Sequence, residues 1–277
     1  MLRLTTKELQ KLQGIELEVL IEFDRICKKH NLKYVLVGGS LLGAIRHNGF
    51  IPWDDDIDVS MLRDDYNKFI KIQKDELNND KYYFQSMETD DKFGLPFAKL
   101  RRKNSIYCER SCPIEKKQQG IWLDIFPIDK ISENYFCAIL DFIRVFYYKN
   151  IIAFKLNFKF YSTGIKKFIL YVIKFLSKFY NLEKTKKKYY ATIEKHNKKD
   201  SKKVINHGGV YLLREIADEK IFTDIVTHKF EGHYFNIPKD YDEYLTRIYG
   251  DYMKLPKKKK RVSHHLIDKI TFPPDDE

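Results

Sequence analysis

The stretch Tyr34–Met61, YVLVGGSLLGAIRHNGFIPWDDDIDVSM, contains two apolar runs, a Gly-Gly-Ser turn and an Asp-x-Asp pair. The first run is rich in β-branched and aromatic side chains, which predicts a short buried strand over Lys33–Val37. The glycines turn the chain, and Ser40–Ile45 predicts a short helix with Ser40 as its cap. After a return loop, Asp56–Met61 predicts a second strand. The spacing between these elements leads us to expect that the two strands lie side by side.

Asp56 and Asp58 are the first candidate metal ligands. Successive side chains of a strand point to opposite faces, so these two carboxylates share one face while Ile57 and Val59 enter the core. Two carboxylates held close together repel each other, and a cation between them relieves the repulsion. Mg²⁺ is the expected ion because it binds a couple of carboxylates together with substrate phosphates. On its own, however, an Asp-x-Asp pair is more often a solvated strand end.

The Gly-Gly-Ser turn adds a candidate phosphate site. Two glycines, ending at Gly39, let the backbone approach a phosphate closely, and a helix that starts at Ser40 offers free N–H groups and a positive dipole end. The same turn is also typical of a purely structural connection between a strand and a helix. Together, turn and carboxylates indicate a metal-dependent enzyme that acts on phosphate esters.

The rest of the first half predicts a small mixed sheet with helices packed on it, an α+β fold. A capping box formed by Thr5 and Glu8 opens an amphipathic helix that continues to Lys29. A second amphipathic helix is predicted over Asp64–Leu77. Further strands are predicted over Tyr82–Gln85, Leu95–Arg101 and Ile121–Phe126.

The composition limits the class of protein. A formal net charge of +12 over 277 residues indicates an anionic partner, such as nucleic acid, a phosphorylated substrate or an acidic membrane surface. The N-terminus lacks the apolar core of a signal peptide, and no run of about 18 apolar residues could span a bilayer. The cysteines form no zinc pattern, so we expect free thiols in a cytoplasmic protein. They are Cys27, Cys108, Cys112 and Cys137.

The segment 149–203 carries the positive charge. It contains 16 lysines, no arginine and three acidic residues, a balance of +13. A predicted helix over Lys166–Asn181 places Lys167, Lys174 and Lys178 in one stripe and apolar side chains around most of the rest. Such a helix suits a bilayer interface, although a helix packed in the core or against a partner chain has the same pattern. Lysines without arginine give little base readout, so we expect no nucleic-acid partner.

The string LLGAIRHNGFIPWDDDIDVSM, residues 41–61, resembles the LicD family of phosphocholine and related phosphodiester transferases, kin to the fukutin proteins. This family is part of the polymerase-beta-type nucleotidyltransferase superfamily. The resemblance continues through PFAKLRRKNS (96–105), GIWLDIFPID (120–129), FEGHYFNIPKDYDEYLTRIYGDYMKLP (230–256) and RVSHH (261–265). It covers most of residues 32–129 and 205–265. It implies a polymerase-beta-type core, with the lysine-rich helical segment as an insertion.

The resemblance implies a third carboxylate on a neighbouring strand, and Asp124 matches that position. An aspartate embedded in an apolar strand also needs a partner or a metal, unless it lies at a strand end and bonds nearby N–H groups. Asp56, Asp58 and Asp124 are therefore the predicted catalytic and metal-binding residues, holding two Mg²⁺ or Mn²⁺ ions. Asp54 and Asp55 either add negative field to the site, bind a second ion or serve only the loop.

The predicted substrate-binding residues are mostly basic. Lys99 and Arg101 alternate on one strand face and would counter the charge of a diphosphate, although each alone is more often a surface charge. The histidine pair matches the family's C-terminal pattern and is also common at helix ends. Asp129, beyond Pro127, is expected to cap a loop. The predicted substrate-binding set is Gly39, Ser40, Arg46, Lys99, Arg101, His264 and His265.

The resemblance implies that the enzyme transfers phosphocholine from CDP-choline to a hydroxyl of a cell-surface glycan, a teichoic-acid or a lipopolysaccharide precursor. Three alternatives remain: transfer of another CDP-linked group (phosphoethanolamine, ribitol or glycerol phosphate), nucleotidyl transfer proper, and an inactive binding protein on this fold. The expected partners are a CDP-linked donor, a glycan or lipid-linked glycan acceptor, and the anionic inner face of the cell membrane. The predicted domains are a catalytic core (1–130), the lysine-rich segment (131–203) and a C-terminal part that packs back on the core (204–277).

Overall fold

The computed structural model of the protein describes residues 3–111, 119–263 and 265–274. Its helices are α1 (Thr6–Lys29), α2 (Gly38–His47), α3 (Arg63–Glu76), α4 (Tyr135–Lys155), α5 (Gly164–Ser177), α6 (Leu182–Glu194), α7 (Lys220–Thr223) and α8 (Tyr241–Tyr249). Its strands are β1 (Val35–Leu36), β2 (Asp58–Leu62), β3 (Tyr82–Gln85), β4 (Ala98–Arg102), β5 (Ile106–Glu109), β6 (Trp122–Lys130), β7 (Lys203–Asn206), β8 (Ile216–Asp218), β9 (Ile225–Phe230), β10 (His233–Pro238) and β11 (Ile267–Thr271). This mixture confirms the predicted α+β class.

The central sheet has the strand order β1-β2-β6-β4-β3, and β7 and β8 extend it from the C-terminal end of β6. Strands β2 and β6 run parallel, whereas β1 is antiparallel to β2 and β4 is antiparallel to β6. The two strands of residues 34–61 therefore lie side by side, as their spacing predicts. In this register Asp58 lies opposite Asp124, which also lies opposite Lys99. The sheet thus brings two carboxylates and a lysine together on three neighbouring strands.

Helix α1 forms where its pattern predicts. Thr5 Oγ1 accepts a hydrogen bond from the Glu8 backbone N–H at 3.2 Å, and the Glu8 carboxylate accepts one from the Thr5 N–H at 2.8 Å. Two donors at the helix start are satisfied in this way. Val19 and Phe23 are fully buried in the main core, where α1 packs on β4 and β6. The helix therefore supports the sheet that carries the carboxylates.

Two predicted boundaries next to the Gly-Gly-Ser turn are wrong. Helix α2 begins at Gly38, with Val37 as its N-cap, so Ser40 lies inside the first turn and is not the cap. Gly38 has φ +56°, a left-handed conformation that glycine adopts without strain, and the chain turns directly from β1 into α2 there. Strand β2 begins at Asp58, so Asp56 precedes the strand.

The expectation that Asp129 caps a loop is also wrong, because it is a fully buried residue of β6. The Arg63 guanidinium donates two hydrogen bonds to its carboxylate at 2.8 and 2.7 Å, and Asn197 Nδ2 donates a third at 2.8 Å. Burial by itself raises the pKa of Asp129, but Arg63 and Asn197 outweigh it and hold that pKa below its ordinary value. Through Asp129, Arg63 connects α3 to the sheet and Asn197 connects the segment after α6 to the sheet.

The lysine-rich segment folds into α4, α5 and α6, and α4 contacts both α5 and α6. The predicted helix over residues 166–181 corresponds to α5, which begins two residues earlier and ends at Ser177. Among the helices described, none is both long and apolar enough to cross a membrane. Strand β7 returns the chain to the sheet at residues 203–206. The polymerase-beta-type core, the insertion and the domain boundaries stay predictions.

Candidate active site

A cavity of about 850 Å³ opens beside the N-terminus of α2. The turn residues Gly38 and Gly39 form one part of its lining, and Asp56, Asp58 and Asp124 form another. Helix α8 and the segment that follows it also contribute to the lining. Because the N-terminus of a helix carries a partial positive charge, the cavity combines an anion-binding backbone with three carboxylates.

Asp58 is fixed by the turn that precedes it in the chain. Its backbone N–H donates to Ser40 Oγ at 2.8 Å, and its carbonyl accepts from the Val37 N–H at 3.2 Å. A Cβ atom at Gly38 would lie only 3.1 Å from Asp58 Oδ2, so a glycine there leaves room for the carboxylate. Burial, followed by the charges of Asp56 and Asp124, raises the pKa of Asp58 well above its ordinary value. The site therefore favours a cation beside Asp58.

Asp124 is paired with the lysine on the adjacent strand. The Lys99 Nζ atom lies 2.8 Å from Asp124 Oδ1 and 3.1 Å from Oδ2, and both side chains are buried. The same ammonium group sits over the Trp122 ring, 3.7 Å from its centroid. Burial raises the pKa of Asp124 to about 6, even though Lys99 acts to lower it. Lys99 thus contacts the carboxylate directly and does not line the cavity.

The loop before β2 holds a second group of carboxylates around His265. Tyr107 Oη donates to Asp55 Oδ2 at 2.9 Å, and His265 Nδ1 lies 3.3 Å from Asp55 Oδ1. His265 Nε2 lies 3.9 Å from Asp56 Oδ2 and 3.6 Å from Glu109 Oε1. Burial alone would lower the pKa of His265, but these carboxylates outweigh it and raise that pKa well above its ordinary value. At neutral pH the imidazolium is therefore an internal counter-charge.

Glu16 is a further acidic residue near this loop, and no motif in the sequence identifies it. It is fully buried on α1, and neither carboxylate oxygen has a hydrogen-bond partner among the described residues. Burial, followed by the charges of Asp56, Asp55 and Asp54, raises its pKa well above the ordinary value. Its one signal in the sequence is its position, directly after Ile15 in the apolar stripe of α1.

These residues fit a divalent cation. Asp56, Asp58 and Asp124 offer only carboxylate oxygens, the ligands that Mg²⁺ prefers, and all three line one cavity. Within the described residues, however, the group whose ligand atoms lie within 4.8 Å of one another is Asp55, Asp56 and His265. In this arrangement the His265 imidazolium contacts the carboxylates of the loop, whereas Asp58 and Asp124 lie on the sheet.

Some of the other predicted residues line the cavity and some do not. Gly39 and Arg46 line it, and Arg46 donates to the Tyr252 carbonyl at 2.8 Å. Arg101 is buried away from it, where its guanidinium donates to Gln85 Oε1 and the Gly120 carbonyl, both at 2.9 Å. A diphosphate would have to displace those contacts. His264 lies outside the described residues, and the substrate-binding roles stay predictions.

Known proteins resemble this chain in part or over nearly its whole length. Residues 31–157 match the family described as LicD/FKTN/FKRP, nucleotidyltransferase domain. The lipopolysaccharide cholinephosphotransferase LicD of Haemophilus influenzae is 29% identical over 270 residues, which cover 93% of this chain and 96% of that protein. An uncharacterized protein of Rickettsia prowazekii is 27% identical over 124 residues, 43% of this chain and 41% of its own length.

Proposed function

We propose that this chain, which contains a LicD-family domain over residues 31–157, is a phosphotransferase that moves phosphocholine from CDP-choline to a hydroxyl of a cell-surface glycan precursor. The similarity to a lipopolysaccharide cholinephosphotransferase over 93% of the chain supports this reaction. The observation that carries the proposal is the position of Asp58 and Asp124. They lie opposite each other on parallel strands and line the cavity into which the N-terminus of α2 opens.

Asp56, Asp58 and Asp124 are the residues that we assign as ligands of two Mg²⁺ ions. When bound, the ions would neutralise charge on the diphosphate and polarise the acceptor hydroxyl. Asp58 supports this assignment because its carboxylate has a pKa raised by burial and by its acidic neighbours. A cation beside a buried carboxylate of this kind stabilises its ionised form.

The chain itself supplies phosphate binding and proton transfer in this proposal. Backbone N–H groups in the first turn of α2, that of Gly39 among them, would hold phosphate oxygens at the N-terminus of the helix. Asp124 would accept the proton of the attacking hydroxyl, as a carboxylate placed beside the acceptor can. Lys99 holds the Asp124 carboxylate from the adjacent strand. Attack at the choline-bearing phosphorus then releases CMP.

A panel of CDP-linked donors tests the reaction. Purified protein is incubated with CDP-choline, CDP-ethanolamine, CDP-ribitol or CDP-glycerol, with Mg²⁺ or EDTA, and CMP release is measured. We expect release from CDP-choline in Mg²⁺, its loss in EDTA and its loss in Asp58→Asn. If CMP is released only from another donor, the protein is still a phosphotransferase, but the group that it transfers is not phosphocholine.

Nucleotidyl transfer proper is the second candidate, because the matching family is described as a nucleotidyltransferase domain. It would use the same three carboxylates and leave CMP on the acceptor. Mass spectrometry of the acceptor distinguishes the two reactions: phosphocholine and cytidylate add different masses. An acceptor that carries cytidylate would favour the second candidate.

We also propose that α5 binds the anionic inner face of the cell membrane. Its exposed side chains include Phe168, Tyr171 and Phe175, which are 69%, 73% and 55% exposed. Lys167 and Lys174 accompany them on a helix that has no acidic residue. Exposed aromatic side chains with a lysine border suit the boundary between head groups and acyl chains of acidic lipids. A vesicle assay on a variant of two of these phenylalanines tests this proposal.

A further inference from the structure

The cavity extends from the carboxylates to a wall built by residues 206–215 and α8. The proposed reaction at the three carboxylates assigns no role to this wall. The backbone of this wall lies unusually close to its neighbours. A Cβ atom at Gly208 would lie 2.8 Å from the Phe126 ring, and one at Gly209 would lie 2.2 Å from the Glu215 carboxylate. Asn206 Oδ1 accepts from both glycine N–H groups, at 2.9 and 3.0 Å. Two glycines therefore form a ledge between an aromatic side chain and a carboxylate.

Aromatic rings surround this ledge. Phe97 and Phe126 pack together with ring centroids 4.5 Å apart, and both line the cavity. On the other side Tyr211 and Tyr249 meet edge to face at 5.4 Å, and both also line it. Tyr244 completes the wall next to them. The electron-rich faces of such rings attract cations, and quaternary ammonium groups are the ligands that aromatic cages of this kind bind.

Glu215 supplies a buried carboxylate to the lining beside these rings, and it is 5% exposed. It accepts the Tyr211 backbone N–H at 3.3 Å. Burial raises the pKa of Glu215 to about 7, while the Tyr211 N–H and the Lys149 ammonium act to lower it. Lys149 itself donates to the His207 carbonyl and does not line the described cavity. A cation inside the cavity would favour the ionised carboxylate.

Tyr244 connects the phosphate end of the cavity with Glu215. Tyr244 interacts with the Gly38 backbone at the start of α2, and both Asp58 and Glu215 act on its hydroxyl electrostatically. One tyrosine side chain therefore separates the phosphate end of the cavity from Glu215. In phosphocholine, a two-carbon chain separates the phosphate ester oxygen from the nitrogen, so the two groups of this ligand would occupy neighbouring parts of one cavity.

From these contacts we infer that Phe97, Phe126, Tyr211, Tyr249 and Glu215 form the subsite that binds the quaternary ammonium of the transferred group and selects choline over ethanolamine. The inference rests on the proposed function, because it gives the transferred group its binding site. Methyl groups of the ammonium would contact the rings, and its charge would face Glu215. A primary ammonium loses those methyl contacts, and an uncharged isostere loses the attraction to the rings and to the carboxylate.

Calorimetry with two isosteric ligands tests the subsite without turnover. The full-length protein, in Mg²⁺, is titrated with phosphocholine and with 3,3-dimethylbutyl phosphate, which has the same shape and phosphate but no positive charge. We expect phosphocholine to bind at least about tenfold more tightly. In Glu215→Gln this ratio should fall below about threefold. Tyr249→Leu should also lower the ratio, whereas Tyr249→Phe, which retains the ring, should keep the wild-type ratio.

Glu219→Gln is the matched control, because Glu219 lies nearby in sequence, pairs with Lys130 at 3.3 Å and does not line the described cavity. It should leave the ratio unchanged. CMP binding, measured in each variant, shows that the remaining site is folded. A phosphocholine preference that is absent in the wild type, or equal in Glu215→Gln and wild type, overturns the inference. So does a Glu215→Gln effect confined to the KM of the glycan acceptor, since the wall would then hold the acceptor.

The two proposals fail separately. If phosphocholine binds in a Glu215-dependent manner but CDP-choline releases no CMP, the subsite stands and the proposed reaction is wrong. If CDP-choline is turned over and Glu215→Gln keeps the same preference for CDP-choline over CDP-ethanolamine, the reaction stands and the subsite is wrong.

Discussion

Replacing Asp58 by asparagine should abolish transfer and at the same time stabilise the metal-free protein. Asp58 is buried, and Asp56 and Asp124 add to the effect of burial in raising its pKa well above the ordinary value. Asparagine keeps the shape of the side chain and removes the charge. The substitution therefore separates the stability of the fold from the requirement for a cation.

The size of the stabilisation follows from the sheet register. Asp58 and Asp124 lie opposite each other on adjacent strands, which are spaced about 4.8 Å apart. Two unit charges at that distance repel by roughly 3 kcal/mol at the effective dielectric constant that suits protein sites. Partial protonation reduces this value, so we expect a gain of about 1–3 kcal/mol, or about 2–5 °C in Tm for a chain of this size.

The sign of the pH dependence is fixed by the raised pKa. A carboxyl group whose folded pKa exceeds its unfolded pKa costs stability above the unfolded value and costs nothing well below it. The advantage of Asp58→Asn should therefore be present at pH 7 in EDTA and disappear as the pH falls below about 4. Thermal unfolding in EDTA from pH 3.5 to 8 measures it. In the same variant CMP release should fall by at least about a hundredfold.

Asp64→Asn is a suitable control because Asp64 is an exposed acidic residue in the first turn of α3. It should change Tm by less than about 2 °C and leave turnover unchanged. Added Mg²⁺ should raise the Tm of the wild type and of this control, and should raise that of Asp58→Asn much less. An Asp58→Asn protein that is less stable than wild type in EDTA, or that retains a tenth of the wild-type turnover, would refute the electrostatic reasoning.

Three further predictions address other parts of the protein. Asp129→Ala should lower the free energy of unfolding by about 3–5 kcal/mol in urea titrations, because Arg63 then stays buried without its carboxylate; since the pKa of Asp129 is lowered, the wild-type advantage should be lost only as the pH falls through that lowered value, and an undiminished Tm at pH 7 would contradict it. His265→Gln should destabilise the protein at pH 6, and the difference should shrink as the pH rises through the raised pKa of His265; a difference that grows toward alkaline pH would show that the imidazolium is not the counter-charge. The double variant Phe168→Ser/Phe175→Ser should bind acidic vesicles at least about tenfold more weakly in sedimentation assays, because both exposed rings are lost from the interface; unchanged vesicle binding would exclude α5 as the docking surface.

Local patterns predict the part of the fold that surrounds the first two strands. The alternation of Ile57 and Val59 with acidic residues identifies the core face of β2, and both apolar side chains are fully buried. The same pattern misplaces the strand start, because Asp55 is held by Tyr107 and His265, which are distant in sequence. The ladder between β2 and β6 starts only at Asp58.

The second half of the fold depends on contacts that no local pattern contains. Strand β11 pairs with β5, about 160 residues earlier in the chain, and β7 pairs with the end of β6. From the sequence, Asp129 is only an aspartate that closely follows a proline. Its environment in the fold is set by Arg63, which lies on another element. Glu16 is hidden for the same reason, since only the folded chain brings α1 close to the acidic loop.

Product analysis after incubation with CDP-choline, Mg²⁺ and a glycan acceptor tests the central claim most directly. The account predicts free CMP, an acceptor whose mass has increased by one phosphocholine group, and neither product with Asp58→Asn. An acceptor that carries cytidylate, or an equal yield of CMP from Asp58→Asn, would contradict it.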